Sequence, residues 1–361
     1  METSYRDKPY YFVPLNEKAD RRTSFNKQKM LAPNMLAGKL NITIECATPL
    51  HVGSGRLIFY ESTETFTHSL LRENGRITVP GSSFKGMLRS MFEAVTTSCV
   101  LFAPRTLPTK VGMLGACNNS SGLCPACSVF GKLSYKGKLI FSSFYTEANS
   151  VLYRLPPLEQ PFKTYPLPAI PNKTDPRTGN ERLYYGNFHD IRALDVAKMS
   201  KVEFLQKKRN EPRSGGQFYG RKFYKHSGTW EMLSKQAGEE SYECIPSGST
   251  LTGSIIYQGL YADELGAILF ALGLGWTPPI YHKLGYAKPA YMGSVKLSVT
   301  PAELSPRYGG NHLTTAAATD MAMRHYKKNE LLIKPAVDAL KQESSEIGDS
   351  MWKKQDNKYG Y

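Results

Sequence analysis

Residues 80–95 read PGSSFKGMLRSMFEAV. A Pro-Gly break, two serines able to cap, and apolar Phe84, Met87, Leu88, Met91 and Phe92 at helical spacing predict a helix opening on a small-residue turn. Upstream, KLNITIEC (39–46) alternates Leu40, Ile42, Ile44 and Cys46 with polar neighbours, the period of a half-buried strand, and runs into the turn PLHVGSG (49–55). Downstream, GKLIFSSFYTE (137–147) reads as a second strand and STLTGSIIYQ (249–258) as an alternating third. DELGAILFALGLGW (263–276) is a strongly apolar helix, and YMGSVKLSVT (291–300) is a last strand reached through HKLGYAKPAYMG (282–293). The order strand, helix, strand, strand, helix, strand predicts an α+β fold with a ferredoxin-like (RRM-like) βαββαβ palm over residues 39–300.

Other segments lack this patterning. Residues 1–38 are polar, basic and aperiodic, as in an arm that orders against a neighbour or ligand. Residues 150–230, rich in Pro, Gly, Arg, Lys and Tyr, read as an insertion projecting from the core. The tail, 301–361, holds one candidate helix over 314–326.

The 46 Lys and Arg exceed the 31 Asp and Glu by 15, an excess that favours a polyanionic partner through phosphate contact and counterion release. No stretch reaches the roughly 18 apolar residues of a membrane span, and METSYRDKPYYF (1–12) has no apolar signal core, so a cytoplasmic protein is expected. Of six cysteines, Cys99, Cys117, Cys124 and Cys127 crowd one segment (98–131) while Cys46 and Cys244 stand apart. In a reducing compartment such a cluster suggests metal before disulfide.

Two turns carry candidate anion chemistry. The start of the 80–95 helix sets unpaired amides and the hydroxyls of Ser82 and Ser83 beside Lys85 and Arg89, which lie four apart on one face. The loop from Gly285 to Gly293, with Lys283 and Lys288, is basic and glycine-bearing, so backbone can approach a phosphodiester closely.

PLHVGSG, PGSSFKGMLRS, LCPACSVFG (123–131) and HKLGYAKPAYMGSVKL (282–297), in that order, resemble the RAMP superfamily of CRISPR-associated proteins. The likeness is greatest to its backbone subunits, the seventh Cas family of type III and type VII effectors. PYYFVPLN (9–16) and YGRKFYKH (219–226) resemble the type III-D branch. The resemblance implies a subunit that stacks with copies of itself in a helical filament along a guide (crRNA), presents it to target RNA, and meets other Cas subunits. It assigns guide contact to the first turn (His51, Gly53, Ser54), the helix start (Ser82, Ser83, Lys85, Arg89) and the late loop (Lys283, Lys288). The 150–230 insertion becomes a thumb, where Lys207, Lys208, Arg209, Arg213, Arg221, Lys222 and Lys225 interleave with Phe218, Tyr219, Phe223 and Tyr224. Cations hold phosphates and aromatic faces receive bases, a mixture suited to single-stranded RNA.

Similar subunits also carry a structural zinc site at the position of the cysteine cluster. Cys124 and Cys127 form a C-x-x-C knuckle with Cys117 and Cys99 as remaining ligands, although His51 or His68 could replace Cys99. A closed four-thiolate site leaves no position for water, which favours scaffolding over catalysis.

Type III subunits of this kind cut target RNA with an Asp between the first strand and first helix. Residues 51–80 contain no aspartate, only Glu61, Glu64 and Glu73. A subunit that binds guide and target without cutting is therefore expected, with a separate nuclease recruited as in type VII effectors. The alternatives are a metal-dependent target-cleaving type III subunit, a stand-alone guide-processing endoribonuclease with a His general base, and an unrelated zinc-containing RNA-binding module.

Overall fold

The computed structural model describes residues 10–16, 18–21, 34–61, 64–100, 116–117, 122–155, 220–227, 240–306, 313–345 and 347. The strands are β1 (Tyr10–Val13), β2 (Leu36–Cys46), β3 (Gly53–Tyr60), β4 (Thr65–Leu70), β5 (Arg72–Glu73), β6 (Arg76–Val79), β7 (Leu139–Phe141), β8 (Phe144–Tyr145), β9 (Val151–Leu155), β10 (Arg221–Tyr224), β11 (Glu240–Cys244), β12 (Thr250–Leu260), β13 (His282–Lys283) and β14 (Ser294–Pro306). The helices are α1 (Gly81–Ala94), α2 (Pro125–Phe130), α3 (Ala262–Ala271) and α4 (Thr315–Ser344).

The alternation in β2 decides the main sheet. Leu40, Ile42, Ile44 and Cys46 are buried, while Lys39, Asn41 and Glu45 are exposed on the opposite face. Such a strand needs a covered side and tolerates a wet one. It pairs antiparallel with both β14 (Val295 opposite Cys46) and β12 (Leu251 opposite Ile44). The far edge of β12 takes β7 and β8, antiparallel again. The four strands of the expected six-element order thus stand fourth, first, third, second, as a split βαββαβ arrangement requires. β6 and β5 extend one edge and β13 the other.

The buried residues of α1, α3 and α4 belong to the same core as the covered face of β2. Phe84 of α1 lies 4.4 Å, centroid to centroid, from Phe144 of β8. The helix starts so close to the sheet that a side chain on Gly81 would sit 2.6 Å from the Phe141 carbonyl, which explains the glycine beneath the serine pair. Glu264 locks the start of α3: its carboxylate accepts from the Tyr261 amide (3.0 Å), from Ser128 of α2 (3.1 Å) and from Lys138 (2.7 Å).

Three segments depart from the sequence reading. Residues 51–80 are not a plain loop, since β3 and β4 form a hairpin within a second sheet of order β3-β4-β11-β9. The single strand expected over 137–147 is two short strands, β7 and β8, with Ser142 and Ser143 between them. The C-terminal helix runs from Thr315 through Pro335 to Ser344, well past Tyr326, and packs along α3. Thr314 caps it, its hydroxyl accepting from the Ala317 amide at 3.2 Å. Of the expected arm, Tyr10–Val13 pairs with β10, and the Tyr11 hydroxyl meets Ser344 at 2.7 Å. Most of the thumb-like insertion lies outside the described residues, including Lys207, Lys208, Arg209, Arg213, Phe218 and Tyr219. Among the described residues no helix is long and apolar enough to cross a membrane.

Candidate metal centre and nucleic-acid interface

Cys99 follows α1, Cys117 lies in the next described segment, and Cys124 and Cys127 flank the start of α2. All four are buried, and their sulfurs lie within 4.8 Å of one another, with Cys99 and Cys127 3.7 Å apart. Four convergent thiols shielded from water can hold a metal ion. Cys46 and Cys244 take no part. Burial pushes the Cys46 thiol up to about 12 and raises that of Cys244, so both stay protonated.

An ionic network buttresses the cluster. Arg89 donates to Glu93 one helical turn on (2.8 Å), to the Gly131 carbonyl (2.9 Å) and towards the Cys127 sulfur (3.8 Å). Arg221, from β10, donates to the other oxygen of Glu93 (2.8 Å) and to the carbonyls of Cys99 (3.0 Å) and Ser98 (3.3 Å). The Arg-Glu-Arg triad fastens the chain bearing Cys99 to α1 on one side and to β10 on the other. Its cations also lie where thiolates would place negative charge.

The guanidinium groups of Arg89 and Arg221, two of the expected RNA contacts, have these partners inside the protein, and only 8% of Arg221 is exposed. The motif around Arg89 revealed its helical face but not Gly131, 42 residues away. Lys283, another expected contact, also has partners within the protein. Its ammonium donates to the carbonyls of Tyr291 (2.8 Å) and Met292 (3.1 Å) and to the Ser294 hydroxyl (2.8 Å), so it staples the base of the late loop. Ser294 in turn meets Nδ1 of buried His226 at 3.0 Å.

The remaining candidates have more access. Ser82 is exposed, and Ser83 and Lys85 are half-buried at the start of α1. Partial burial and then the neighbouring Arg89 lower the Lys85 pKa. Lys222 lies over the rings of Tyr10 (4.1 Å) and Tyr224 (5.1 Å), and Lys225 is 3.9 Å from Glu343. Lys288, half-buried, is lowered by burial.

The first turn and the late loop form one unit. The Tyr286 amide donates to the His51 carbonyl and the Gly293 amide to the Pro49 carbonyl, both at 2.9 Å. Gly285 has φ +78°, and a side chain there would sit 2.4 Å from the His51 carbonyl oxygen. His51 itself is buried, its Nδ1 2.6 Å from the Glu243 carbonyl. Burial lowers its pKa, outweighing that hydrogen bond. Gly53 is exposed beside it, and the Ser54 hydroxyl meets that of Ser69 at 2.5 Å.

Residues outside the motifs complete this unit. Glu243 of β11 pairs with Arg72 and accepts from Ser150 (2.6 Å) and from the Leu70 amide (2.8 Å). Burial pushes its carboxyl up, but these partners win and hold it at about 2. Tyr242 stacks between His68 (4.5 Å) and Tyr286 (5.4 Å). No spacing rule connects Tyr242 with His68 or Tyr286, because the contacts cross three separate elements.

The acidic side chains of residues 51–80 are dispersed. Glu61 and Glu64 are exposed at the turn of the β3–β4 hairpin, whereas Glu73 accepts from Tyr145 (2.7 Å) and Ser143 (3.1 Å). Among the described residues the one grouping suited to a metal ion is the four-cysteine cluster.

A sequence profile of the RAMP superfamily matches residues 43–275. No curated protein matches the chain at a significant level.

Proposed function

Since this chain belongs to the RAMP superfamily, and so to a set of CRISPR-associated RNA-binding modules, we propose that it is a guide-binding backbone subunit of a ribonucleoprotein effector. Copies of it stack along crRNA and present the guide to target RNA, beside other Cas subunits. One observation carries this reading. Segments more than 230 residues apart, 49–53 and 285–293, are bolted together by two backbone hydrogen bonds into one surface, on which Gly53 is exposed and Gly285 packs against the His51 carbonyl. A surface of that kind admits a sugar-phosphate chain at close range.

The half-buried Lys85 and exposed Ser82 offer further phosphate contact at a helix start that carries no acidic residue in its first turn. Lys222 of β10 and Lys225 just after it extend the basic character. In the cysteine cluster, zinc is the ion proposed. Four thiolates around zinc at about 2.3 Å give sulfur separations near 3.8 Å, close to the 3.7 Å between Cys99 and Cys127. Bound there, zinc supplies structural cross-linking, with Cys99, Cys117, Cys124 and Cys127 as its ligands.

Target cleavage is assigned to a separate nuclease, because residues 51–80 hold no aspartate and their glutamates do not converge.

The test is to express the protein with a CRISPR array, fractionate by size and sequence the RNA retained. Array-derived guides in large, regular particles are expected. A monomer free of RNA, or one carrying mixed cellular RNA, would overturn the backbone role. In the same assay Lys85→Glu should weaken guide binding about tenfold and reduce the salt slope by about one. An unchanged slope would remove Lys85 from the interface.

A further inference from the structure

We propose that Tyr286 is a stacking platform for a single nucleobase of RNA, an inference that rests on the RNA-binding reading above and adds a residue to it. Tyr286 is 45% exposed, unusual for a ring so firmly held. Its amide is fixed to the His51 carbonyl at 2.9 Å. One side of its ring stacks on Tyr242, which is only 3% exposed and is itself backed by His68. The His51 ring meets both tyrosines edge-on, 6.0 Å from Tyr286 and 5.3 Å from Tyr242.

The platform is rigid because β11, which carries Tyr242, is anchored at the next residue by the Glu243–Arg72 ion pair. A tyrosine buried for packing would turn both faces inward. This one is 45% exposed, and the two rings stacked beneath it, Tyr242 and His68, have the form of an unfinished stack.

The backbone gives a second, independent indication. Ala287 (φ 53°) and Tyr291 (φ 62°) both adopt the left-handed conformation on either side of the one-turn 3-10 helix Lys288–Ala290. Side-chain-bearing residues resist that region, and strain of this kind collects where a loop must present a group to a ligand. The exposed backbone of Gly53 borders the same unit, and its missing side chain, which would lie 2.8 Å from the His51 ring, lets that ring pack beside it. A flat, uncharged π-face beside glycine backbone, on a protein of net charge +15, suits a base whose phosphates run on alongside.

The experiment uses the full-length protein and short single-stranded RNAs with 2-aminopurine moved one position at a time. Wild type should quench one position strongly. Tyr286→Phe should keep both quenching and affinity, and Tyr286→Leu should lose that quenching and weaken binding about 5- to 150-fold, the range for one base stacked on an aromatic ring. If Tyr286→Leu binds with unchanged affinity and profile, or weakens binding while the quenched position persists, the platform is refuted. Circular dichroism of Tyr286→Leu separates misfolding from lost stacking, and if Leu does not fold the wild-type profile decides, because a wild type that binds RNA without strongly quenching one position refutes the platform. Failure of wild type to bind any RNA would instead refute the RNA-binding reading itself.

Discussion

Arg221→Met should destabilise the protein by about 3 kcal/mol and speed loss of metal from the cysteine cluster. Removing one partner of a buried ion pair costs about 3–5 kcal/mol, because the other charge is stranded. Glu93 would keep its second cation, Arg89 at 2.8 Å, which places the cost at the lower end. The same substitution withdraws the donors from the carbonyls of Cys99 and Ser98, and with them the clamp on the chain that supplies the first sulfur. Arg221→Lys should recover little, since an ammonium cannot span one carboxylate and two carbonyls as a planar fork does. Urea unfolding measures the first effect, and transfer of metal to a chromogenic chelator the second. Wild-type stability in Arg221→Met would mean that the triad only decorates the cluster.

Acidification from neutral pH to about pH 4 should cost about 3 kcal/mol at His282 alone. His282 is 2% exposed; its Nε2 lies 2.9 Å from the Ala271 carbonyl, while buried Nδ1 has no hydrogen-bond partner. The ring is therefore neutral with its proton on Nε2, and a second proton, on Nδ1, would be buried without an acceptor. Burial lowers its pKa from 6.5 to about 4, although the bond to Ala271 opposes this. The unfolded chain binds the proton first, so stability is complete above about pH 6.5 and is lost as pH falls towards 4. His226 shifts in the same direction, through burial and then the neighbouring Lys283 and His282. Glu243 begins to lose its contribution only at the acid end of this window, as pH falls below the ordinary 4.5 of the unfolded carboxyl towards about 2. Unfolding free energies at half-unit steps from pH 7.5 to 4 check the slope. His282→Leu should flatten it, and an unchanged slope in that variant would assign the acid sensitivity elsewhere.

The elements readable in the sequence are those with one wet face. β2 alternates because Lys39 and Asn41 meet water while Leu40 and Ile42 meet helices, and α1 shows its stripe for the same reason. The β3–β4 hairpin was illegible because Leu57, Ile58 and Phe59 are consecutive, apolar and all at least 43% exposed, which leaves no period to detect. The sequence conceals the full length of α4 because its buried stripe breaks between His325 and Ile333 and because Pro335 imitates a stop. The cysteine cluster was legible from C-x-x-C spacing. The inward roles of Arg89, Arg221 and Lys283 were not, because a cation beside glycine or serine reads alike whether it faces phosphate or its own carbonyls.

The strands bordering the basic insertion bear on how such a protein can be rebuilt. β9 pairs with β11, on the near side of Glu240, while β10 pairs far away with β1. The excursion between β9 and β11 is therefore not a detachable module, although its two ends would accept a short hairpin loop. Trimming it to residue 240 would leave the second sheet intact yet discard Arg221, and with it the clamp on Cys99. A lineage or an engineer could resize this segment only on either side of residues 220–227, which hold Arg221 and the buried His226 that meets Ser294.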